Sequence, residues 1–184
     1  MTAPKILGGM ESQDADDLQK ELAKWGEYYS SRRFPDALYK LDTPPETEKK
    51  ISTYLEVLFK FRIFNSMLRN ENQKAKDHAT TILNTTSDKL SLENSFLAVY
   101  SKRQKPGPGL TTPANKAVVI LALGKLDREN GLPLFQVSME RGFEPFGLES
   151  GDMLAVPPDT HQYFEGSGGG LVHISIWVHA NAAS

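Results

Sequence analysis

The chain contains no cysteine, which removes a disulfide framework, a thiolate metal site and a thiol nucleophile together. Any metal must be held by His, Asp, Glu or water, and there are only 4 His in 184 residues. Strong charge of either sign is also missing. With 21 basic and 23 acidic residues the net charge is -2, so neither a nucleic-acid backbone nor an anionic membrane is the expected main partner. No apolar run approaches the roughly 18 residues of a membrane helix. The N-terminal MTAPKILGGMESQDADD offers only Ile6-Leu7 where a signal peptide needs an apolar core. The expectation is an intracellular protein, cytoplasmic or nuclear. Without a Gly-x-Ser-x-Gly elbow or a recognisable Ser-His-acid set, a hydrolase is a weak option. The short basic clusters Arg32-Arg33 and Lys102-Arg103-Gln104-Lys105 read as solvated loops.

What is present divides near residue 90. From Ser12 to about Leu83 the apolar spacing is helical: Leu18, Leu22, Trp25 and Tyr29 recur every three to four residues, with Asp14, Asp16 and Asp17 near the positive end of that helix. Thr43-Pro44-Pro45-Glu46 supplies an N-cap, first-turn prolines and a capping-box carboxylate. A long helix should follow, and its stripe from Ile51 to Leu68 is broad enough to require burial on more than one side. A second helical piece, Gln73 to Leu83, is amphipathic through Ala75, Ala79, Ile82 and Leu83 and carries His78 as a surface residue. Asn84-Thr85-Thr86 has the form of a glycosylation sequon but reads as a helix exit.

From Leu90 onward the signal becomes short β-rich runs separated by Gly and Pro: SFLAVYS, KAVVILALG, LPLFQVS, DMLAVP, HQYFE and LVHISIWVH. No helix-length amphipathic segment lies between them, which argues against a parallel sheet with crossover helices. The predicted fold class is α+β, with N-terminal helices (residues 1–88) packed on an antiparallel jelly roll or barrel (residues 89–184). The Gly166-Ser167-Gly168-Gly169-Gly170 run reads as a hairpin loop and not as a phosphate cradle, since a strand follows it. A chain of this length buries roughly 70% of its unfolded surface and needs no staple.

In order, Asn94–Tyr100, the turn Pro106-Gly107-Pro108-Gly109-Leu110, Val118–Gly124, Leu148–Pro157, His161 and Gly170–Trp177 resemble the double-stranded β-helix of iron- and 2-oxoglutarate-dependent oxygenases. The likeness covers residues 94 to 180, about half of the chain; the Gly151-Asp152, Pro157, His161 element also resembles the second motif of cupins. The resemblance implies a metal held by a His-x-Asp/Glu pair after the second strand and by a distal His, with three positions left for 2-oxoglutarate and oxygen. His161 stands where the distal His would. Pro113 and Asn115 fall where the pair is expected, and neither supplies a His or a carboxylate. There is no His between Asn94 and His161, so a three-ligand site with its first His in that turn is excluded by inventory. The arginine that anchors 2-oxoglutarate is replaced by His173, and Tyr100 matches a strand tyrosine that contacts the same cosubstrate in some members.

His161 is therefore the candidate metal ligand, and Tyr100 and His173 the candidate cofactor contacts. His173 shares a strand face with Leu171 and Ser175; if that face is inward, burial should depress its pKa. His179 should face solvent. Of the nearby carboxylates, Asp152 reads as a turn residue bonding its own backbone, while Glu140 and Glu144 flank a hairpin tip at Arg141-Gly142-Phe143. Two functions follow from the resemblance. One is an oxygenase-like jelly roll with a small-ligand pocket, using Fe(II) and 2-oxoglutarate or no cofactor at all. The other is a non-catalytic cupin-like module for binding or homodimerisation.

Overall fold

The computed structural model describes residues 4–29, 38–41, 72–100, 110–138, 142–165 and 170–179. Two helices lie in the first half, α1 (Ser12–Tyr29) and α2 (72–82). The strands are β1 (Lys5–Leu7), β2 (Leu38–Leu41), β3 (Leu90–Tyr100), β4 (Leu110–Thr111), β5 (Lys116–Leu123), β6 (Leu132–Ser138), β7 (Gly142–Pro145), β8 (Met153–Val156), β9 (His161–Glu165) and β10 (Leu171–His179). They form a six-stranded sheet in the order β1-β8-β5-β10-β3-β2 and a four-stranded sheet in the order β4-β9-β6-β7. Every pairing is antiparallel. From β3 onward the chain passes back and forth between the sheets, the winding of a jelly roll.

The central strand β5 explains why KAVVILAL reads as a continuous apolar run instead of an alternating one. Both of its faces are covered. Val118, Ile120 and Ala122 join Phe135, Leu126, Leu148, Val172 and Ile174 in the core between the sheets. Ala117, Val119, Leu121 and Leu123 point the other way, into a second cluster that includes Ala15 and Leu18 of α1 and Ala75 and Ala79 of α2. Each fully buried Val, Leu or Ile contributes roughly 1.5–3 kcal/mol relative to an exposed position. This strand therefore couples the two cores.

Local chemistry sets the ends of these elements. Asp14 lies in the first turn of α1, where a carboxylate complements the helix dipole. The chain leaves α2 through Asn84, at φ 47, a left-handed exit that Asn tolerates. At Gly151 (φ 92) the backbone turns so tightly that an added Cβ would collide with the Met10 carbonyl. Its own carbonyl accepts from Met10 N–H and its N–H donates to the Ala122 carbonyl, both at 2.9 Å. That glycine fastens the chain beyond β1 to the turn before β8.

The six β-rich runs read from sequence are all strands. The short strands β1, β2, β4 and β7 escaped that reading, and β1 and β2 precede residue 89 yet pair with β8 and β3. Gly142–Pro145 is strand β7, paired antiparallel with β6 so that Ser138 stands opposite Gly142; Arg141 of the expected hairpin tip lies outside the described residues. Strands β9 and β10 belong to different sheets and are not a hairpin pair; residues 166–169 of the expected hairpin loop lie outside the described residues. The long helix expected after Thr43 lies outside the described residues.

Candidate functional site

The corner between β8 and β9 decides which side chains enter the space between the sheets. Pro157 and Pro158 cannot donate to a ladder and end β8. Asp159, at φ 55, turns the chain, and its N–H donates to the Thr112 carbonyl at 2.8 Å while Thr112 N–H donates to the Thr160 carbonyl at 3.0 Å. The ends of β4 and β9 are thus tied together. Their register pairs Leu110 with Gln162 and Thr111 with His161.

Side chains alternate along a strand, so Thr160 and Gln162 share one face and His161 lies on the other. Gln162 stands directly opposite Phe135 of β6, a fully buried member of the core between the sheets. The inner residues here are therefore Thr112, Thr160 and Gln162, at 2%, 1% and 8% exposure. His161 is exposed on the outer face. Pro113 is exposed as well, and Asn115 is half-buried with its carbonyl accepting from His179 N–H at 3.4 Å. Of the positions aligned with metal ligands from sequence, His161 and Pro113 are each one residue away from a side chain that faces inward.

Two of the inner groups have unmet bonding capacity. Thr112 Oγ1 and Gln162 Oε1 are buried and have no hydrogen-bond partner among the described residues, whereas Thr160 Oγ1 donates to the Pro158 carbonyl at 3.4 Å. Leaving such a group unpaired costs about 1–3 kcal/mol. A carboxylate shares this face. Glu144 of β7 stands opposite Phe135, so Gln162, Phe135 and Glu144 form one row across the sheet. Strands are roughly 4.8 Å apart, which puts the Gln162 and Glu144 backbones roughly 10 Å from each other. Glu144 is half-buried.

His173 belongs to a different environment. It alternates with Val172 and Ile174, which face the core between the sheets, and lies on the same side as Leu171 and Trp177, which face the helices. Its Nε2 is 2.7 Å from Ser95 Oγ, and Trp177 Nε1 donates to Ser175 Oγ at 3.1 Å. Burial holds the His173 pKa down to about 4, so the ring is neutral at neutral pH. His78 is on α2, half-buried, with its Nε2 enclosed and without a hydrogen-bond partner. Asp152 accepts from Glu149 N–H at 2.9 Å, and His179 is half-buried on β10. Tyr100 ends β3, its backbone paired with Leu38. Its side chain, and Glu140, lie outside the described residues.

The structure thus brings together Thr112, Gln162 and, at the far end of the row, Glu144; it does not gather His161, His173 and His78. Among the described residues no group of three or more His, Cys, Asp or Glu side chains could hold a metal ion. The inner donor set is a hydroxyl, an amide and one distant carboxylate, which does not fit the imidazole-and-carboxylate coordination that iron oxygenases use. No described helix is long and apolar enough to cross a membrane.

This winding is that of a jelly roll, and solved structures share the fold. The chain is similar to EvdO2 from Micromonospora carbonacea var. aurantiaca complexed with 2-oxoglutarate, at TM-score 0.53 and 13% identity over 96% of this chain and 86% of that one. It is also similar to the non-heme alpha ketoglutarate dependent epimerase SnoN from nogalamycin biosynthesis, at TM-score 0.59 and 10% identity over 96% and 78% of the two chains. HygX from Streptomyces hygroscopicus, with nickel and 2-oxoglutarate bound, aligns at TM-score 0.53 and 11% identity over 97% and 83%. No family model matches the chain, and no curated protein matches it in sequence.

Proposed function

We propose that this protein binds a small organic molecule between the two sheets of an oxygenase-type jelly roll, at the joined ends of β4 and β9, without a three-ligand iron centre. The observation that carries this reading is the pair of buried, unpartnered polar atoms, Thr112 Oγ1 and Gln162 Oε1, on the face where such a fold presents its reactive groups. A folded protein tolerates that cost where function requires it. In this reading α1 and α2 of the N-terminal region cover the outer face of the six-stranded sheet and leave the space between the sheets to the ligand. Fe(II) and 2-oxoglutarate chemistry would require His161 to be joined by donors outside the described residues, with Tyr100 or His173 contacting the cosubstrate. His173 faces the helices, which speaks against its part in that scheme. Among the described residues the exposed large apolar side chains Ile6, Leu92 and Phe143 lie on β1, β3 and β7, which are not neighbours.

Elemental analysis and calorimetric titration with Fe(II) and Mn(II), with and without 2-oxoglutarate, test the proposal on wild type and His161→Ala. The expected result is no stoichiometric metal binding in either protein. Stoichiometric binding that His161→Ala abolishes would overturn it and restore His161 as a ligand.

A further inference from the structure

We propose that Asn130-Gly131 is a deamidation site gated by the fold: the native turn between β5 and β6 restrains both reacting groups, and opening of that turn lets the asparagine pass through a cyclic imide to aspartate or isoaspartate. The site is independent of any ligand held between the sheets.

Asn130-Gly131 is the only Asn-Gly pair in the chain, and the turn uses both residues. Gly131 sits at φ 143, a conformation that L side chains rarely adopt. Asn130 engages both ends of its amide: Oδ1 accepts from Asp127 N–H at 2.9 Å, and Nδ2 donates to the Lys125 carbonyl at 2.7 Å. The pair that builds the turn is also the pair in which imide formation is least hindered, because glycine places no side chain beside the attacking nitrogen. In that reaction the Gly131 nitrogen attacks Asn130 Cγ. A C–N bond forms, the Cγ–Nδ2 bond breaks, and the Gly131 proton ends on the departing ammonia. Water then opens the ring at either imide carbonyl, giving aspartate or, with the main chain rerouted through the side chain, isoaspartate.

The native turn opposes each step. Gly131 N–H donates to the Asp127 carbonyl at 2.9 Å, so the proton that must leave is engaged, and Gly131 is buried away from solvent base. The nitrogen that must depart is bonded to the Lys125 carbonyl. Both ends of the turn are anchored. Leu126 and Leu148 exchange backbone hydrogen bonds at 2.8 and 3.1 Å, and Gly170 N–H donates to the Asn130 carbonyl at 2.8 Å. Local opening releases these restraints together. Conversion then prevents the turn from closing as before. A carboxylate at position 130 cannot donate to the Lys125 carbonyl, and it adds negative charge to a turn that already holds Asp127 and Glu129. Isoaspartate also adds a methylene to the main chain, which displaces the hydrogen bond to Gly170 and the entry into β6.

Peptide mapping by mass spectrometry follows amide-to-acid conversion at Asn130 in the full chain at mildly alkaline pH, folded and in urea. The unfolded chain should convert about tenfold faster than the folded one, or more. Asp127→Ala removes the Oδ1 acceptor of Glu129 N–H and keeps the Asn-Gly pair; it should raise the folded-state rate severalfold and leave the rate in urea unchanged. Equal rates for the folded and unfolded wild type, no conversion in urea, or a folded Asp127→Ala that converts no faster than wild type would overturn the proposal. Asn130→Asp reproduces the aspartate product and should lower the thermal midpoint by several degrees. Wild type converted in urea and then refolded supplies the same readout where Asn130→Asp does not fold. An unchanged midpoint in both would overturn the coupling of this turn to β6 and β10.

Discussion

The five described buried polar residues fall into two groups that the fold treats differently. On the helix side of the six-stranded sheet, His173 is bonded to Ser95 and Ser175 to Trp177, so the polar atoms there are spent on one another. On the inner face of the four-stranded sheet, Thr160 is satisfied while Thr112 Oγ1 and Gln162 Oε1 are not. Burial is equally deep in both places, so depth is not the cause. The difference is that the first group stabilises the sheet against its helices, whereas the second holds its bonding capacity in reserve.

The largest effect that can sharpen this contrast comes from acidification. His173 has a folded-state pKa of about 4 against 6.5 for the free side chain. Between those values the unfolded chain binds the extra proton, so the stability contribution is complete above pH 6.5 and is lost as pH falls toward 4. The loss is on the order of 3 kcal/mol. Urea midpoints of wild type and His173→Gln, measured at pH 7.5 and 4.5, should differ in their pH dependence by that much, with wild type the more acid-sensitive. Next in size is Ser175→Ala, which leaves the buried indole N–H of Trp177 unpaired and should destabilise by about 1–3 kcal/mol. Smallest is Thr112→Val, which removes a hydroxyl that has no partner to lose and should change stability by about 0.5 kcal/mol or less, or increase it. Equal losses in the last two variants would erase the distinction between the groups.

Legibility in the sequence followed how strongly each pattern was constrained. The runs KAVVILALG, DMLAVP and LVHISIWVH announce buried strands because both faces must be apolar, and the lack of helix-length segments between them points to an antiparallel jelly roll or barrel. Strands β4 and β1, of two and three residues, carry too few side chains to show a period. Thr112 and Gln162 were hidden for a related reason. The run His161-Gln162-Tyr163-Phe164-Glu165 is amphipathic in neither phase, so nothing local says which alternate set faces inward. Only the pairing with Phe135 and Leu110 decides it. An imidazole attracts attention as a ligand, but its chemistry carries no information on which way the strand is turned. His173 illustrates the same limit: its burial was anticipated as a condition, while the side of the sheet depended on tertiary register.

The corner at Pro157-Pro158-Asp159-Thr160 has a consequence for how such a fold changes its chemistry over time. It enters β9 in one of two phases, and its length selects the phase. Loss or gain of one residue there, with β9 sliding by one position against β4 and β6, would present the imidazole of His161 to the interior and turn the amide of Gln162 out to solvent. Substitution explores ligand sets one side chain at a time, but a change of length at this corner exchanges the whole inner complement of β9 in a single heritable event. The lineage of a jelly roll can thus pass between metal-ligating and neutral interiors by altering where a strand begins, while the residues of that strand stay the same.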